Sequence, residues 1–314
     1  MRLVVALGGN ALLRRGEPAE ATIQREHVLE AASGLAALAR EHELVITHGN
    51  GPQVGLLALE AEAYRAVAPY PLDILGAESQ GMIGYLLVQA LSGALVGREA
   101  AAVVTQVAVD LADPAFQHPT KPIGPVYDEE EARRLQQLHG WTMAVDGAGV
   151  RRVVASPEPL DIVELAPITR LLQAGTVVIC AGGGGVPVVR SGWRLQGVEA
   201  VVDKDLTAAL LAQALGADRL LLLTDVPHVE RDWGTPAAAP IRHTSARELS
   251  SLAFADGSMR PKVEAACRFV ERTGRRAAIG ALGELAAVAA GSAGTQIVAE
   301  ALTQDGDGGR SAAV

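Results

Sequence analysis

The sequence predicts an α/β fold built around a mainly parallel sheet, and two observations lead to that prediction. Short runs of apolar and β-branched residues recur along the chain, and stretches with helical periodicity lie between them. The runs are apolar almost throughout rather than at every second residue, which is typical of strands covered on both faces. Strands that alternate with helices favour a doubly wound sheet, where ligands bind beyond the carboxyl ends of the strands.

Six apolar runs are expected to form strands, and five stretches are expected to form helices. The predicted strands are 3–7, 44–47, 102–107, 176–180, 220–224 and 276–279. The predicted helices include 25–40, 53–64, 79–91, 206–215 and 263–272. A further helix is expected to start near Ala11.

Composition limits the class of protein. The chain has 314 residues, 49% of them hydrophobic, which is enough for one large α/β domain with an added lobe or two modest domains. Its net charge of −9 argues against non-specific nucleic-acid binding, although a few local lysines can still attract a small anion.

Compartment is predicted from the cysteines and from the chain's start. Cys180 and Cys267 lie in apolar or helical surroundings, so we expect buried free thiols in a reducing compartment. The N-terminus runs directly into a strand, and no apolar stretch approaches membrane-spanning length. The expectation is a soluble cytoplasmic protein that binds neither membrane nor nucleic acid.

One stretch breaks the rhythm of strands and helices. Residues 113–159 contain six prolines and two β-like pieces, at 141–145 and 151–155. We interpret this stretch as a small excursion that forms a lid over the site. The last residues, 303–314, are rich in Gly, Asp and Ser and are expected to form a flexible tail.

Three glycine turns follow predicted strands, so they should meet at one edge of the sheet. The turns are Gly8-Gly9-Asn10, His48-Gly49-Asn50-Gly51-Pro52 and Gly182-Gly183-Gly184-Gly185. Glycine lets backbone N–H groups approach an anion, and a helix N-terminus adds partial positive charge. A single Gly-Gly-Asn turn is more often a plain strand-to-helix connection than an anion site. Two such Asn-containing turns, however, suggest a shared oxyanion cradle. His48 could be a ligand or a base, although a hydrogen bond within its own turn is the simpler interpretation.

The four-glycine run needs a reason, because each ordered glycine costs about 1 kcal/mol relative to alanine. It is not a dinucleotide fingerprint, since Pro187 stands where the third glycine belongs, and no Lys-Ser/Thr pair makes it a Walker A loop. A phosphate cradle of another kind remains.

Lysine is rare in this arginine-rich chain, and its positions are informative. The three lysines are Lys121 in the predicted lid, Lys204 before a helix and Lys262 at the start of another. A compact ammonium suits a moving phosphoryl group, whereas chance retention of three surface lysines is the plainer alternative.

Two aspartates flank Lys204. One of Asp203 and Asp205 could orient the lysines, and the other could contact a magnesium ion held mainly by nucleotide phosphates. A helix N-cap followed by acidic first-turn residues is the structural alternative, and both can hold together. No His/Cys/Glu cluster has the spacing of a protein-bound metal site. Asp225 and Val226, after the strand 220–224, could contact a base or ribose.

These pieces, in this order, resemble the amino-acid kinase superfamily and, within it, the carbamate kinase family. The resemblance extends from Val4 to about Ile297. The segments that carry it are ALGGNAL, THGNGPQVG, YPLDILGAESQGMIGY, PTKPIGPVY, ICAGGGGVPVV, GVEAVVDKDLTAALLA, LLTDV and GSMRPKVEAACRFV.

The resemblance implies an open three-layer αβα sandwich with a mainly parallel central sheet, a small protruding lid, and usually a homodimer. It implies one domain over 1–302, with an N-terminal lobe to about residue 170 that binds the small acid and a C-terminal lobe that binds nucleotide. The implied activity is reversible phosphoryl transfer between ATP and carbamate, in arginine metabolism.

The resemblance also implies roles for individual residues. Carbamate and the transferred phosphoryl group would be cradled by Gly8, Gly9, Asn10, Gly49, Asn50 and Gly51. The nucleotide side would be lined by Gly182, Gly183, Gly184, Gly185, Asp203, Asp225, Val226 and Met259. Lys121 would close over carbamoyl phosphate, while Lys204 and Lys262 would neutralise phosphoryl oxygens with Asp205 orienting them.

Two departures bear on the resemblance. Ala6 stands where most amino-acid kinases carry a lysine, an absence shared by carbamate kinases. Ala155 replaces a proline common in the family, which concerns lid stiffness rather than chemistry.

The alternatives to this function are a sister kinase acting on N-acetylglutamate, a phosphonate or UMP, and a regulator that lost catalysis. A dinucleotide-dependent oxidoreductase is the third alternative, but this chain lacks the glycine fingerprint of that class.

Overall fold

The computed structural model describes residues 1–9, 12–14, 16–64, 66–147, 149–254 and 259–299. The helices of this part are α1 (Ala21–Ala39), α2 (Gly51–Ala63), α3 (Leu72–Ala94), α4 (Glu129–His139), α5 (Leu165–Gln173), α6 (Lys204–Ala214), α7 (Ala246–Ser250), α8 (Met259–Thr273) and α9 (Leu285–Ala290). Short 3₁₀ turns lie at Pro114–Phe116, Gly182–Gly184 and Leu282–Glu284.

The strands belong to four sheets. In chain order they are β1 (Arg2–Leu7), β2 (Glu43–His48), β3 (Ala100–Ala102), β4 (Gln106–Ala108), β5 (Lys121–Tyr127), β6 (Met143–Asp146), β7 (Gly149–Val154), β8 (Asp161–Ile162), β9 (Val177–Ile179), β10 (Val186–Ser191), β11 (Arg194–Gly197), β12 (Arg219–Thr224), β13 (Val229–Arg231), β14 (Ala239–Ile241), β15 (His243–Ser245), β16 (Arg276–Ala281) and β17 (Thr295–Val298).

An eight-stranded sheet organises the molecule, in the order β15-β17-β16-β12-β1-β2-β9-β3. Its neighbouring strands are parallel except for β16 and β17. A four-stranded sheet (β11-β10-β4-β8), a three-stranded sheet (β5-β7-β6) and the hairpin β13-β14 complete the described strands. The large, mainly parallel sheet confirms the predicted fold class.

Helices cover both faces of the large sheet, because successive side chains of a strand point to opposite faces. In β1, Val4 and Ala6 belong to a core with α6 and α8, whereas Leu3, Val5 and Leu7 belong to a core with α1 and α3. These five residues are fully buried. Two cores on two faces give the three-layer arrangement, and they explain why the strands are apolar at every position.

Most predicted strands form where expected, but the run 102–107 does not form one strand. It divides between β3 in the large sheet and β4 in the four-stranded sheet. The cause is the buried side chain of Gln80, whose amide pairs with both the N–H (2.8 Å) and the C=O (3.1 Å) of Thr105. The chain therefore leaves one sheet at this residue and enters the other.

Two other predictions concern residues outside the described part. Ala11, where a helix was expected to start, is one of them, and the first helix of the described part begins at Ala21. The predicted tail, 303–314, also lies outside it. No helix of the described residues is both long enough and apolar enough to cross a bilayer.

The proline-rich excursion contains the three-stranded sheet and α4. Its two predicted β pieces appear as β6 and β7, which pair antiparallel. The excursion contacts the main body where β5 packs on α2, since a Cβ on Gly55 would lie 3.5 Å from Cα of Gly124. It is also joined to the chain before α6, because Val201 N–H donates to Ala155 C=O at 2.9 Å. That this unit is a lid, and that the chain divides into two lobes, stay predictions.

Candidate active site

The first two glycine turns meet at the carboxyl edge of the large sheet. β1 and β2 are neighbouring parallel strands, so their following turns emerge side by side. A Cβ on Gly49 would lie 3.0 Å from Cα of Gly9 and 3.4 Å from Cδ of Lys204. A side chain at Gly49 would therefore push Gly9 away by a few tenths of an ångström. Gly51 begins α2, with Pro52 in its first turn as predicted. Asn10 lies outside the described residues.

The four-glycine turn, which follows β9, packs directly on the second turn. A Cβ on Gly182 would lie 2.4 Å from Nε2 of His48. A Cβ on Gly183 would lie 2.2 Å from Nδ2 of Asn50, and Gly183 also has a φ of +66°. Any side chain here would collide with the second turn and strain the backbone. The predicted convergence of the three turns is therefore present in the structure.

Two lysines share one buried carboxylate beside these turns. Lys204 Nζ donates to Oδ1 of Asp205 at 2.8 Å, and Lys262 Nζ donates to Oδ2 at 3.0 Å. Lys204 and Asp205 are in the first turn of α6, whereas Lys262 comes from the first turn of α8. The side chains of Asp205 and Lys262 are each only 5% exposed. Helix packing thus brings together two cations that are far apart in sequence.

The third lysine joins the same group through Asp203. Lys121 Nζ, from β5, donates to Oδ2 of Asp203 at 2.8 Å. The other oxygen of Asp203 accepts from the N–H groups of Asp205 (2.9 Å) and Leu206 (3.3 Å), so this side chain caps α6. Asp203 therefore lies between Lys121 and the start of α6, and its expected place on the nucleotide side stays a prediction.

Burial and charge together set the protonation of this cluster. Burial raises the pKa of Asp205, but Lys204 and Lys262 outweigh burial and hold that pKa at about 2. Burial lowers the pKa of Lys204, yet the negative charges of Asp205 and Asp203 leave it above its usual value. Burial and the nearby charge of Lys204 lower the pKa of Lys262. The three lysines and two aspartates carry a net positive charge, which suits an anionic ligand.

His48 makes the hydrogen bond within its turn that the sequence suggested. It is 1% exposed, and its Nδ1 lies 3.0 Å from the carbonyl oxygen of Gly49. Because that oxygen can only accept, Nδ1 carries the proton. Burial lowers the pKa of His48 to about 4 against the effect of this hydrogen bond, so the ring is neutral at pH 7.

The remaining predicted nucleotide residues lie at neighbouring strand and helix ends. A Cβ on Gly8 would lie 2.9 Å from the carbonyl oxygen of Leu223, so the first turn adjoins the end of β12. Asp225 follows that strand and accepts a hydrogen bond from Thr224 Oγ1 at 3.0 Å. Val226 is the next residue, and Met259 begins α8 three residues before Lys262. Nothing here contradicts their predicted role or tests it.

Four buried polar residues lie beneath the turns: Ser79, Gln80, Thr105 and Thr207. None of them forms a motif by itself, and reasoning from the sequence gave them no role. Asn50 Nδ2 donates to Ser79 Oγ at 2.8 Å, and Ala181 N–H donates to Thr105 Oγ1 at 2.9 Å. Gln80 holds Thr105, and Thr207 Oγ1 donates to the carbonyl oxygen of Gly184 at 2.9 Å. Ser79, Gln80 and Thr207 do fall within segments that carry the resemblance, but only the fold reveals their partners.

Comparisons with known proteins identify the family of this chain. The sequence pattern of the amino acid kinase family matches residues 1–281. A carbamate kinase of Rhizobium meliloti (strain 1021) is 54% identical, over 95% of this chain and 93% of that protein. One of Haemophilus influenzae is 53% identical, over 95% and 96%. The structure of carbamate kinase from Giardia lamblia bound to AMP-PNP is 39% identical with a TM-score of 0.88, over 95% and 98%.

The chain therefore belongs to the amino acid kinase family, whose sequence pattern covers most of its length. The glycine turns and the three lysines lie within residues 1–281, which this pattern matches. Within the family, the chain belongs to the carbamate kinases, since relatives of that name are more than half identical over nearly its whole length.

Proposed function

We propose that this chain catalyses reversible phosphoryl transfer between ATP and carbamate, giving ADP and carbamoyl phosphate. The observation that carries the proposal is the pair Lys204 and Lys262, which share Asp205 beside the turn at Gly49. The relatives from Rhizobium meliloti and Haemophilus influenzae, which match nearly the whole chain, are carbamate kinases, and this supports the choice of acceptor.

The arrangement suits phosphoryl transfer, which needs positioning and charge neutralisation more than covalent help. Carbamate is already ionised at neutral pH, so its oxygen needs no general base. A neutral, buried His48 is consistent with such a site, because nothing in the reaction requires it to move a proton. Backbone N–H groups of the glycine turns and the ammonium groups would stabilise the charge that spreads over the phosphoryl oxygens.

The residues divide between two sides of the site in this proposal. The carbamate side is formed by Gly8, Gly9, Asn10, Gly49, Asn50 and Gly51. The nucleotide side is formed by Gly182, Gly183, Gly184, Gly185, Asp203, Asp225, Val226 and Met259. The Giardia lamblia relative was solved with AMP-PNP, an ATP analogue, which supports a nucleotide site in this fold. Lys121 lies on β5 of the excursion and would close over carbamoyl phosphate as a lid moves.

A magnesium ion would be held mainly by the nucleotide phosphates. Among the described residues no group of three or more His, Cys, Asp or Glu side chains could hold a metal. Asp203 and Asp205 are both engaged by lysines, which favours phosphate oxygens as the principal ligands. Bound there, magnesium would offset phosphate charge, while the chain's lysines do the same on the transferred group.

We also propose that the protein is a cytoplasmic homodimer acting in arginine metabolism. Both cysteines are buried free thiols, which fits a reducing compartment. The edge strand β3 borders an apolar groove of about 410 Å³ that includes Tyr85 and Val104, which are 56% and 50% exposed. A second copy seated on this groove would cover the sheet edge. Tyr85→Glu should then convert a dimer to a monomer in analytical ultracentrifugation.

A substrate panel tests the function. The purified protein is offered ATP and magnesium with carbamate, N-acetylglutamate, a phosphonate or UMP, and ADP formation is measured. We expect turnover with carbamate only. Lys204→Ala should lower kcat by at least about a hundredfold while the circular dichroism spectrum is retained. The control Arg190→Ala, which removes a half-exposed surface ion pair with Asp161, should keep the full rate. Turnover with another acceptor alone, or near-native activity of Lys204→Ala, would contradict the proposal.

A further inference from the structure

Two adjacent residues of α3, Ser79 and Gln80, lie beneath the site and touch different glycine turns. Ser79 is 0% exposed and Gln80 is 4% exposed, so both side chains are almost wholly buried, although Gln80 also borders the groove at Tyr85. Ser79 contacts the second turn through Asn50, and Gln80 contacts the four-glycine turn through Thr105. One helix turn thereby connects the side of the site proposed for carbamate with the side proposed for nucleotide.

The hydroxyl of Ser79 fixes the orientation of the Asn50 side-chain amide. Ser79 Oγ donates its one proton to the carbonyl oxygen of Gly76 at 2.7 Å. It can therefore only accept from Asn50, which requires Nδ2 of that amide to face Ser79 at 2.8 Å. The amide packs against Gly183. Its Cγ, Oδ1 and Nδ2 atoms all lie within 2.5 Å of the position that a Cβ on Gly183 would occupy. Both polar ends of Asn50 thus have one defined direction.

Gln80 fixes the start of the four-glycine turn through one intermediate residue. Its amide holds both backbone groups of Thr105, which is 0% exposed. Thr105 Oγ1 donates to the carbonyl oxygen of Val103 at 2.8 Å, so it accepts from the N–H of Ala181 at 2.9 Å. Ala181 has a φ of +51°, a conformation that a non-glycine residue adopts only when its surroundings impose it. The Cγ of Gln80 also lies 3.1 Å from where a Cβ of Gly182 would be.

We infer that Ser79 and Gln80 are positioning residues for phosphoryl transfer. Ser79 positions the second turn, and Gln80 positions the four-glycine turn. This inference rests on the proposed function and adds to it how the two halves of the site are held in mutual register. Neither side chain touches the reacting atoms, and each acts through the residue that it orients. Transfer between two bound groups is sensitive to misplacement of about 1 Å, so loss of either support should reduce the rate.

The test separates positioning from stability with a matched glutamine. Gln296 is also buried (8% exposed) and also binds two backbone groups, the carbonyl oxygens of Val288 and Ala293, but it lies on β17. Gln80→Met and Gln296→Met remove comparable hydrogen bonds with little change of volume. Kinetics of ATP formation are measured with ADP and carbamoyl phosphate varied in turn, together with ADP binding by calorimetry and the thermal midpoint.

Ser79→Ala is expected to lower kcat/KM for carbamoyl phosphate about tenfold, equivalent to about 1.4 kcal/mol, with KM for ADP unchanged. Gln80→Met should lower kcat/KM for ADP about tenfold and weaken ADP binding by a similar factor. Gln296→Met should lower the thermal midpoint without changing the kinetics. Ser79→Cys, which keeps a weak acceptor, should fall between wild type and alanine and serves if Ser79→Ala does not fold.

The inference is overturned if Ser79→Ala and Gln80→Met stay within twofold of wild type in every kinetic constant while losing stability as Gln296→Met does. If the wild-type protein forms no ATP from carbamoyl phosphate, the proposed function fails separately. ADP binding then still decides the role of Gln80, since a loss in Gln80→Met that matches Gln296→Met would make it merely structural.

Discussion

Replacing Asp205 with asparagine is the most informative single change to the lysine cluster. The substitution keeps the size of the side chain but removes the negative charge that Lys204 and Lys262 share. Two buried ammonium groups would then face a neutral amide. We expect the folded protein to lose stability at pH 7 unless an anion takes the place of the carboxylate.

The size of the loss follows from the titration of the carboxyl group. Its pKa falls from an ordinary 3.8 to about 2, which at about 1.36 kcal/mol per pH unit corresponds to about 2 kcal/mol. Breaking a buried ion pair by removing one partner costs about 3–5 kcal/mol, which sets the upper end. Because the folded pKa is lowered, this stabilisation is present above pH 3.8 and is lost as the pH falls toward 2.

The assay is guanidinium unfolding of wild type and Asp205→Asn at pH 7. We expect the free energy of unfolding to fall by about 2–5 kcal/mol and to recover in part when pyrophosphate is added, because a bound polyanion can pair with the lysines. The control Asp161→Asn removes an ion pair whose side chains are each 53% exposed, so it should cost less than about 1 kcal/mol. A loss in Asp205→Asn no larger than in the control would refute the account of the cluster.

Three further predictions concern the lid contact, the glycine turn and the histidine. Lys121→Ala should lower kcat by at least about tenfold. It should lower the free energy of unfolding by less than about 1 kcal/mol, because the side chain is 35% exposed. Steady-state kinetics and denaturation measure the two effects, and an unchanged kcat would contradict the prediction. Gly183→Ala should abolish ATP formation, whereas Gly175→Ala, with a φ of +84° and open space around it, should keep the activity and cost about 1 kcal/mol of backbone strain. His48 should destabilise the fold by about 3 kcal/mol as the pH falls from 6.5 to about 4, because its folded pKa is lowered; unfolding curves of His48→Gln should lack that slope.

Much of the fold is predictable because its signals are local. Apolar runs covered on both faces predict parallel strands, and turns that follow neighbouring strands must meet at one edge of the sheet. The contact of Gly49 with Gly9 is the direct result. The structure pairs Lys204 and Lys262 with Asp205, although 57 residues separate Lys262 from its partner, and the roles that the resemblance implied for them stay predictions.

Other features depend on tertiary contacts and leave no local signal. The run 102–107 reads as one strand, but Gln80 from another element captures the backbone of Thr105 and divides it. The sequence leaves open whether Asp203 caps a helix or lies near a metal ion, and only the fold shows that it caps α6 and pairs with Lys121 from the excursion. Buried polar groups are generally paired, but sequence alone does not say with what.

The most direct test of the central claim is ATP formation from ADP, magnesium and carbamoyl phosphate by wild type and Lys262→Met, which retains the volume of the buried side chain. The account predicts rapid ATP formation by wild type and a loss of at least about a hundredfold in the variant, with both proteins folded. No ATP from folded wild-type protein, or equal rates in the two proteins, would contradict it.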